Sequence, residues 1–369
     1  MTQTYVDNQK LLNDVCKEIE QCDQVGLDTE FMRESTYAPK LCLIQLIVDD
    51  RVLCIDPMAL DHLDPFYEAI NHAGRTKILH SARQDLEVFY RSSGLVIGPI
   101  FDTQVAAAFL GHRSQIGYAT LVQELVGVEL KKDQTRTNWA RRPLKPAQID
   151  YALDDVRYLP QLTSALVALL KEQGKDQWAL SAMQELTSPE ALMASLEYPV
   201  ERLKGFKRLK PREKAIARAM VEWREKKAKE TDRPRRWVLD DKQICLFAHQ
   251  KFDGTLERIE DTIRNNKATG HSYAKEIHDR LHSPQIESSA PEAPADFGRR
   301  PSASEEKRIK ELSQAVSEYA QEVGIAQDLL ATQKELANYV LGLSTPRFQS
   351  GWRAEGLGSR IKTIEEGSM

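Results

Sequence analysis

Long apolar runs are missing from this 369-residue chain, and none approaches the ~20 residues that a bilayer-spanning helix requires. The N-terminus has no basic segment followed by an apolar core, so no secretory signal is expected. Cysteine is scarce. The five present (Cys16, Cys22, Cys42, Cys54, Cys245) are odd in number, and no two are separated by only two residues. This argues against a disulfide framework or a zinc knuckle and fits a reducing cytoplasm, the expected location. No repeat of fixed short period is visible. Net charge is nearly absent too, at −4 from 51 Lys and Arg against 55 Asp and Glu.

That near-neutrality hides an asymmetry. Residues 1–200 hold 19 basic against 28 acidic side chains, residues 201–283 hold 22 against 14, and residues 284–369 hold 10 against 13. An acidic first part beside a basic second part suits a metal-dependent chemistry module joined to a polyanion-binding module. An ordinary solvated basic helical surface is the other reading of the same numbers. The length favours two or three domains.

Residues 1–200 alternate strand-like and helix-like patterns. Val25–Phe31, Leu41–Val48 and Arg51–Ile55 read as consecutive strands of an antiparallel meander. A helix is predicted over Leu60–Ala73, a strand over Lys77–His80, a helix over Arg83–Ser93 and a strand over Pro99–Phe101. Asp102-Thr103 can cap a helix over Gln104–Leu110, followed by a helix over Leu121–Val126. A long helical region runs from Pro146 to about Lys171, and Pro160 should kink or divide it. The expected fold is therefore α/β, a mixed sheet flanked by helices. After Pro199 the strand signal ends. Residues 201–283 hold helical segments, including Pro211–Lys229 and Leu256–Asn265, with a turn at Asp232-Arg233-Pro234 and a cap at Asp240. Residues 284–304, rich in Pro, Ser, Ala and Glu, read as a linker, residues 305–369 as a smaller helical domain, and the stretch from Gly351 on as loosely held.

Asp28-Thr29-Glu30-Phe31-Met32 ends the first apolar strand. Carboxylates at i and i+2 of a strand share one face, and they repel unless a cation sits between them. Asp85 follows one supersecondary unit later. Tyr151 and Asp155, at i and i+4, share one helix face. Taken singly, each has an ordinary reading: a solvated strand end, a surface acid, a half-buried Tyr beside a surface Asp. In this order, four carboxylates and a tyrosine point to a divalent-metal site for phosphodiester hydrolysis.

The set Asp28, Glu30, Asp85, Tyr151 and Asp155 resembles the signature of the DEDDy 3′–5′ exonucleases. Ile78-Leu79-His80, Gln84-Asp85-Leu86, Phe101-Asp102-Thr103, Trp139-Ala140-Arg141-Arg142-Pro143-Leu144 and Tyr151 to Leu159 further resemble the bacterial ribonuclease D family. The resemblance is strong to about residue 200, extends over Pro211–Leu281 and weakens in the last 80 or so residues. One local departure is Thr137-Asn138, where Ser-Asp is expected. The resemblance implies a ribonuclease H-like exonuclease domain over 1–200, then two all-α HRDC-type helical domains over 201–283 and 305–369. It implies 3′–5′ exoribonuclease activity that trims the 3′ ends of stable RNA such as tRNA precursors and releases nucleoside 5′-monophosphates. Two divalent ions per site, Mg²⁺ or Mn²⁺, are expected from the hard oxygen ligands. Asp28 is expected to bridge them, Glu30 and Asp155 to hold the ion that activates water, Asp85 to hold the second, and Tyr151 to orient or deprotonate the water.

Thr29, Phe31, Met32, His80 and Gln84 are the expected substrate contacts. Core packing for Phe31 and Met32, and a structural role for His80, are the alternatives. Lys131, Lys132 and Arg136 can guide RNA or simply be solvated. In the basic unit, Lys204 to Arg208 and Arg233 to Trp237 interleave cations with aromatics and suit docking of nucleic acid rather than catalysis. Trp223 and Trp237 read as core anchors there. The expected partner is RNA with a free 3′ end, with no obligate protein partner and a monomeric chain. Two other readings stay open: a DNA exonuclease of the same type, since motifs do not reveal how a 2′-hydroxyl is read, and a nucleic-acid-binding protein without activity.

Overall fold

The apolar runs at residues 24–55 form the centre of one sheet. The computed structural model describes residues 3–130, 137–249, 251–264, 273–283 and 300–367. Among these, six strands run in the order β1-β4-β3-β2-β5-β6: β1 (Gln3–Val6), β2 (Gln24–Met32), β3 (Lys40–Val48), β4 (Arg51–Ile55), β5 (Thr76–Leu79) and β6 (Ile100–Asp102). β2, β3 and β4 form the expected antiparallel meander. β5 and β6 add parallel strands beside β2, and β1 adds a parallel strand outside β4. The sheet is thus mixed, as the sequence indicates. β1 and the helix after it, α1 (Gln9–Glu20), carry no expectation from the sequence; Asn8 caps that helix by accepting from the Leu11 N–H at 3.1 Å.

Helices cover both faces. α2 (Asp64–Ile70) is shorter than expected because Pro65 fixes its first turn. It is followed by α3 (Arg83–Ser93), α4 (Thr103–Phe109) and α5 (Tyr118–Val126). The region from Pro146 divides into α6 (Pro146–Arg157) and α7 (Leu159–Glu172), with Pro160 in the first turn of the second helix. Gly26 on β2 permits their close approach: a Cβ there would lie 2.5 Å from Ile47 Cγ2 and 3.0 Å from Leu159 Cδ1. No helix among the described residues is long and apolar enough to cross a membrane.

The described chain forms two compact units. One comprises Met1–Met32, Lys40–Leu196 and Ala303–Met369; the other comprises Arg33–Pro39 and Glu197–Ser302. The helices Ala303–Val323, Gln327–Leu330 and Gln333–Val340 therefore pack within the same unit as the sheet. Trp352 stacks on Trp178 with ring centroids 5.3 Å apart, and the Phe109 ring lies 5.1 Å from it. Arg353 donates to Glu185 at 2.6 Å, and Lys175 Nζ donates to the Gly324 carbonyl at 2.8 Å. Trp352, Leu357 and Ile361 are buried, so the segment from Gly351 is anchored rather than loosely held. Its glycines conceal this, because the anchoring partners lie far away in sequence.

The second unit is helical, as expected. Its longest helix, Pro211–Glu230, places Arg224 in complete burial, donating to Asp241 Oδ1 at 2.7 Å and lying over the Tyr198 ring. Asp240 caps the helix Asp241–Ala248 by accepting from the Gln243 N–H at 2.8 Å. Trp223 is half-buried against Tyr273. Trp237 is 40% exposed and is not a core anchor, because its four-residue helix (Arg235–Val238) buries Val238 instead.

Candidate active site

β2 projects Asp28 and Glu30 onto the face covered by α6, and Asp155, one turn after Tyr151, comes down to meet them. One carboxylate oxygen from each of Asp28, Glu30 and Asp155 lies within 4.8 Å of the other two. Asp155 on α6 and two side chains two residues apart on β2 are thus brought to one point by the packing of helix on sheet. A shift of register marks the Glu30/Phe31 step of β2, where Glu30 pairs with Leu43 and Phe31 with Leu41. Such bulges re-aim side chains at a sheet's end.

Asp85 arrives from the other face. β5 ends at Leu79, Ser81 turns with φ 63°, and α3 starts two residues later, with Asp85 buried in its first turn. Asp102 secures this turn: its carboxylate accepts from the N–H groups of Ser81 and Ala82 at 3.1 and 2.8 Å while also capping α4 through Gln104. The cap expected at Asp102 is therefore present. Thr29, between the two acids of β2, donates its hydroxyl to Asp85 Oδ1. Asp85 lies outside the tight trio, yet its charge adds to the field on Asp28, Glu30 and Asp155.

The electrostatics follow from crowding four carboxylates together, Asp85 buried and Asp28, Glu30 and Asp155 half-buried. Desolvation first, then the charges of Asp85, Asp155 and Glu30, hold Asp28 well above the usual carboxylate range. Burial, with the charges of Asp155 and Asp85, pushes Glu30 up to about 8. Burial likewise pushes Asp155 and Asp85 up to about 7, and for Asp85 the Thr29 hydrogen bond opposes the rise. An all-oxygen donor set whose members repel one another fits a hard divalent cation, which would relieve the repulsion and favour the ionised forms. The Tyr151 hydroxyl is raised above its ordinary range by burial and by Asp155, Glu30 and Asp28, so it keeps its proton. Its ring lies 6.3 Å from that of Trp139.

The other sequence-predicted residues take varied places. Thr29 is buried, with its hydroxyl on Asp85. Phe31 and Met32 are half-buried at the end of β2, and Gln84 is exposed beside Asp85. Both ring nitrogens of His80 have protein partners, the Thr103 hydroxyl at 2.9 Å and the Ile116 carbonyl at 3.0 Å. Lys131, Lys132 and Arg136 lie outside the described residues. Asn138, at the departing position, accepts from the Ala140 N–H at 3.0 Å.

Three further residues lie near the site; Tyr118 and Gln45 carry no expectation from the sequence, and Arg142 enters there only as part of a motif. Tyr118 accepts from the Tyr158 N–H at 3.1 Å, at the α6–α7 junction, and feels the charges of Asp155 and Asp28. Arg142 donates to both Asp56 oxygens, at 2.6 and 2.7 Å, and to the carbonyls of Trp139 and Cys42, fixing the segment that leads into α6. Gln45 lies opposite Asp28 in the sheet. Only the repeated arginines before Pro143 gave any local signal.

A mixed sheet presenting converging acids from β2, the turn after β5 and a late helix defines a 3′–5′ exonuclease domain of the DEDD class. The family model described as 3′–5′ exonuclease matches residues 3–171. The chain is 32% identical to ribonuclease D of Xanthomonas oryzae pv. oryzae over 348 residues, covering 94% of each. It is also 32% identical to ribonuclease D of Bartonella henselae, covering 94% of this chain and 86% of that one. Among solved structures, Escherichia coli RNase D, described as an exoribonuclease involved in structured RNA processing, superposes with a TM-score of 0.83 at 26% identity. That match covers 100% of this chain and 99% of that one. The chain belongs to the ribonuclease D family of 3′–5′ exoribonucleases.

Proposed function

We propose that the protein trims the 3′ ends of structured, stable RNA, tRNA precursors among them, by two-metal hydrolysis that releases nucleoside 5′-monophosphates. The observation that carries this reading is the meeting of Asp28, Glu30 and Asp155 within 4.8 Å, with Asp85 adding its charge from the turn after β5. The relatives named above, one of them described as acting in structured RNA processing, supply the substrate class. Asp28, Glu30 and Asp155 would hold one divalent ion, Mg²⁺ or Mn²⁺, and Asp28 with Asp85 a second. Bound there, the pair supplies positive charge that makes water acidic and stabilises the departing 3′ oxygen.

The chain's own groups do the rest. Tyr151, its proton held by burial among carboxylates, orients the attacking water as a neutral hydroxyl rather than removing a proton. Thr29 fixes the rotamer of Asp85 through its hydroxyl. Phe31 and Met32, at the end of β2, stack against the terminal base, and His80 and Gln84 complete the substrate's surroundings. By sequence the chain comprises an exonuclease domain over 1–200, HRDC-type domains over 201–283 and 305–369, and a linker between them over 284–304. The basic 201–283 domain docks RNA, with Arg235, Arg236 and the exposed Trp237 as its contacts. The protein acts as a cytoplasmic monomer.

The test is incubation with 3′- and 5′-labelled RNA and DNA of equal sequence, in Mg²⁺ and in EDTA. Stepwise loss from the 3′ end of RNA, abolished by EDTA and by Asp28→Asn with unchanged circular dichroism, supports the reading. Faster loss from DNA would make it a DNA exonuclease, and no loss from either would leave a binding protein.

A further inference from the structure

Gln45 stands out against its surroundings. It sits in the middle of β3, in the run Leu43-Ile44-Gln45-Leu46-Ile47, and is 0% exposed. Both side-chain atoms, Oε1 and Nε2, are buried without a hydrogen-bond partner. Among the described residues with unpartnered buried side-chain atoms, it alone has two. An unpaired buried amide is costly, and an aliphatic residue of similar volume would complete this strand without that penalty. Sheet register shows where the amide lies. Gln45 pairs directly with Asp28 on β2 and with Cys54 on β4. Paired residues point to the same face, with Cβ atoms roughly 4.5–5.5 Å apart. That face is the one α6 covers, where Leu43, Ile47, Cys54, Ala152, Leu153 and Val156 form an apolar cluster. The thiol of Cys54 is a weak partner. The Asp28 carboxylate is the strong acceptor at the paired position on β2.

We propose that Gln45 is a positioning residue for the metal site: its Nε2–H₂ group donates to the Asp28 carboxylate and sets that side chain's rotamer when divalent ions are bound. Asp28 would then serve as a ligand, and a hydrogen bond from the amide on the neighbouring strand would hold its carboxylate in one orientation. Outer hydrogen bonds of this kind fix ligand geometry in metal sites generally. In the metal-free protein the amide is left unpaired, so the residue trades apo stability for metal affinity. The inference rests on the metal-site reading above and adds one residue to it.

The test is Gln45→Met, which keeps the volume and removes the amide. Melting is measured in EDTA, and Mn²⁺ affinity by calorimetry, on the full chain. Leu43→Met, on the same strand face opposite Glu30, controls for repacking. The expected result is an EDTA melting temperature about 2–4 °C higher in Gln45→Met than in the wild type. Mn²⁺ binding should be weakened about 10-fold or more, with Leu43→Met changing the affinity little. A Gln45→Met protein that melts lower in EDTA or fails to fold overturns the proposal, because the amide must then have a partner in the apo fold. Equal Mn²⁺ affinity in wild type and variant also overturns it while leaving the metal-site reading intact. If the wild type binds no Mn²⁺, that reading fails, and the proposal with it.

Discussion

Stripping the metal and raising the pH should destabilise this protein in a window set by its acidic cluster. Glu30 sits at about 8 against an ordinary 4.5, and Asp85 and Asp155 at about 7 against 3.8. Each is raised in the folded state, so its favourable contribution is complete below the unfolded pKa and is lost as pH climbs through the folded one. Between roughly pH 4.5 and 8 the unfolded chain has released protons that the folded chain still holds, and stability falls with rising pH. At ~1.4 kcal/mol per pKa unit, ionising Glu30 alone costs on the order of 5 kcal/mol. The carboxylates share one field, so their costs do not add. For a unit of this size 1 kcal/mol moves the midpoint by roughly 2–4 °C, so a drop on the order of 10 °C is expected across the window. His80, whose pKa is lowered by burial, acts in the opposite direction as pH rises. Lys77, pushed down to about 8, matters only above the window, and Glu335, pushed down to about 2, only below it. The assay is scanning calorimetry in EDTA at half-unit pH steps, for the wild type and for Glu30→Gln, which keeps the His80 contribution and removes that of Glu30. Saturating Mg²⁺ should flatten the wild-type profile. A wild-type midpoint in EDTA that rises from pH 5 to 8, or a slope that Glu30→Gln leaves unchanged, would refute the reasoning.

Other outcomes follow from single contacts. Tyr151→Phe should lower kcat about 10²-fold with Mn²⁺ affinity unchanged by calorimetry; unchanged turnover would remove Tyr151 from the reaction. Gly26→Ala should cost about 1–3 kcal/mol in urea denaturation and lower turnover too, because relieving the contacts with Ile47 and Leu159 moves the helix pair that carries Asp155. Trp352→Ala should cost about 3–5 kcal/mol, since it uncovers Phe109 and Trp178, and deletion of residues 303–369 should be worse still. A deletion that melts like the full chain would show that these helices do not stabilise the sheet unit.

The nuclease signature lies open in the sequence for a local reason. Asp28 and Glu30 sit two apart on a strand, Tyr151 and Asp155 four apart on a helix, and strand and helix periods place each pair on one face without help from the rest of the fold. The meander, the cap at Asp102 and the break at Pro160 are local in the same sense, set by β-branched runs, an acid at a helix start and a ring that fixes φ. What tertiary structure alone decided is which distant faces meet. The closeness of Asp155 to β2 depends on Gly26 admitting Leu159, and the burial of Trp352 depends on rings more than 170 residues earlier. The unpaired amide of Gln45 reads in sequence as one polar residue in an apolar run. Its position beside Asp28 is set by strand register, which is fixed by packing between chain segments that no short window of sequence contains.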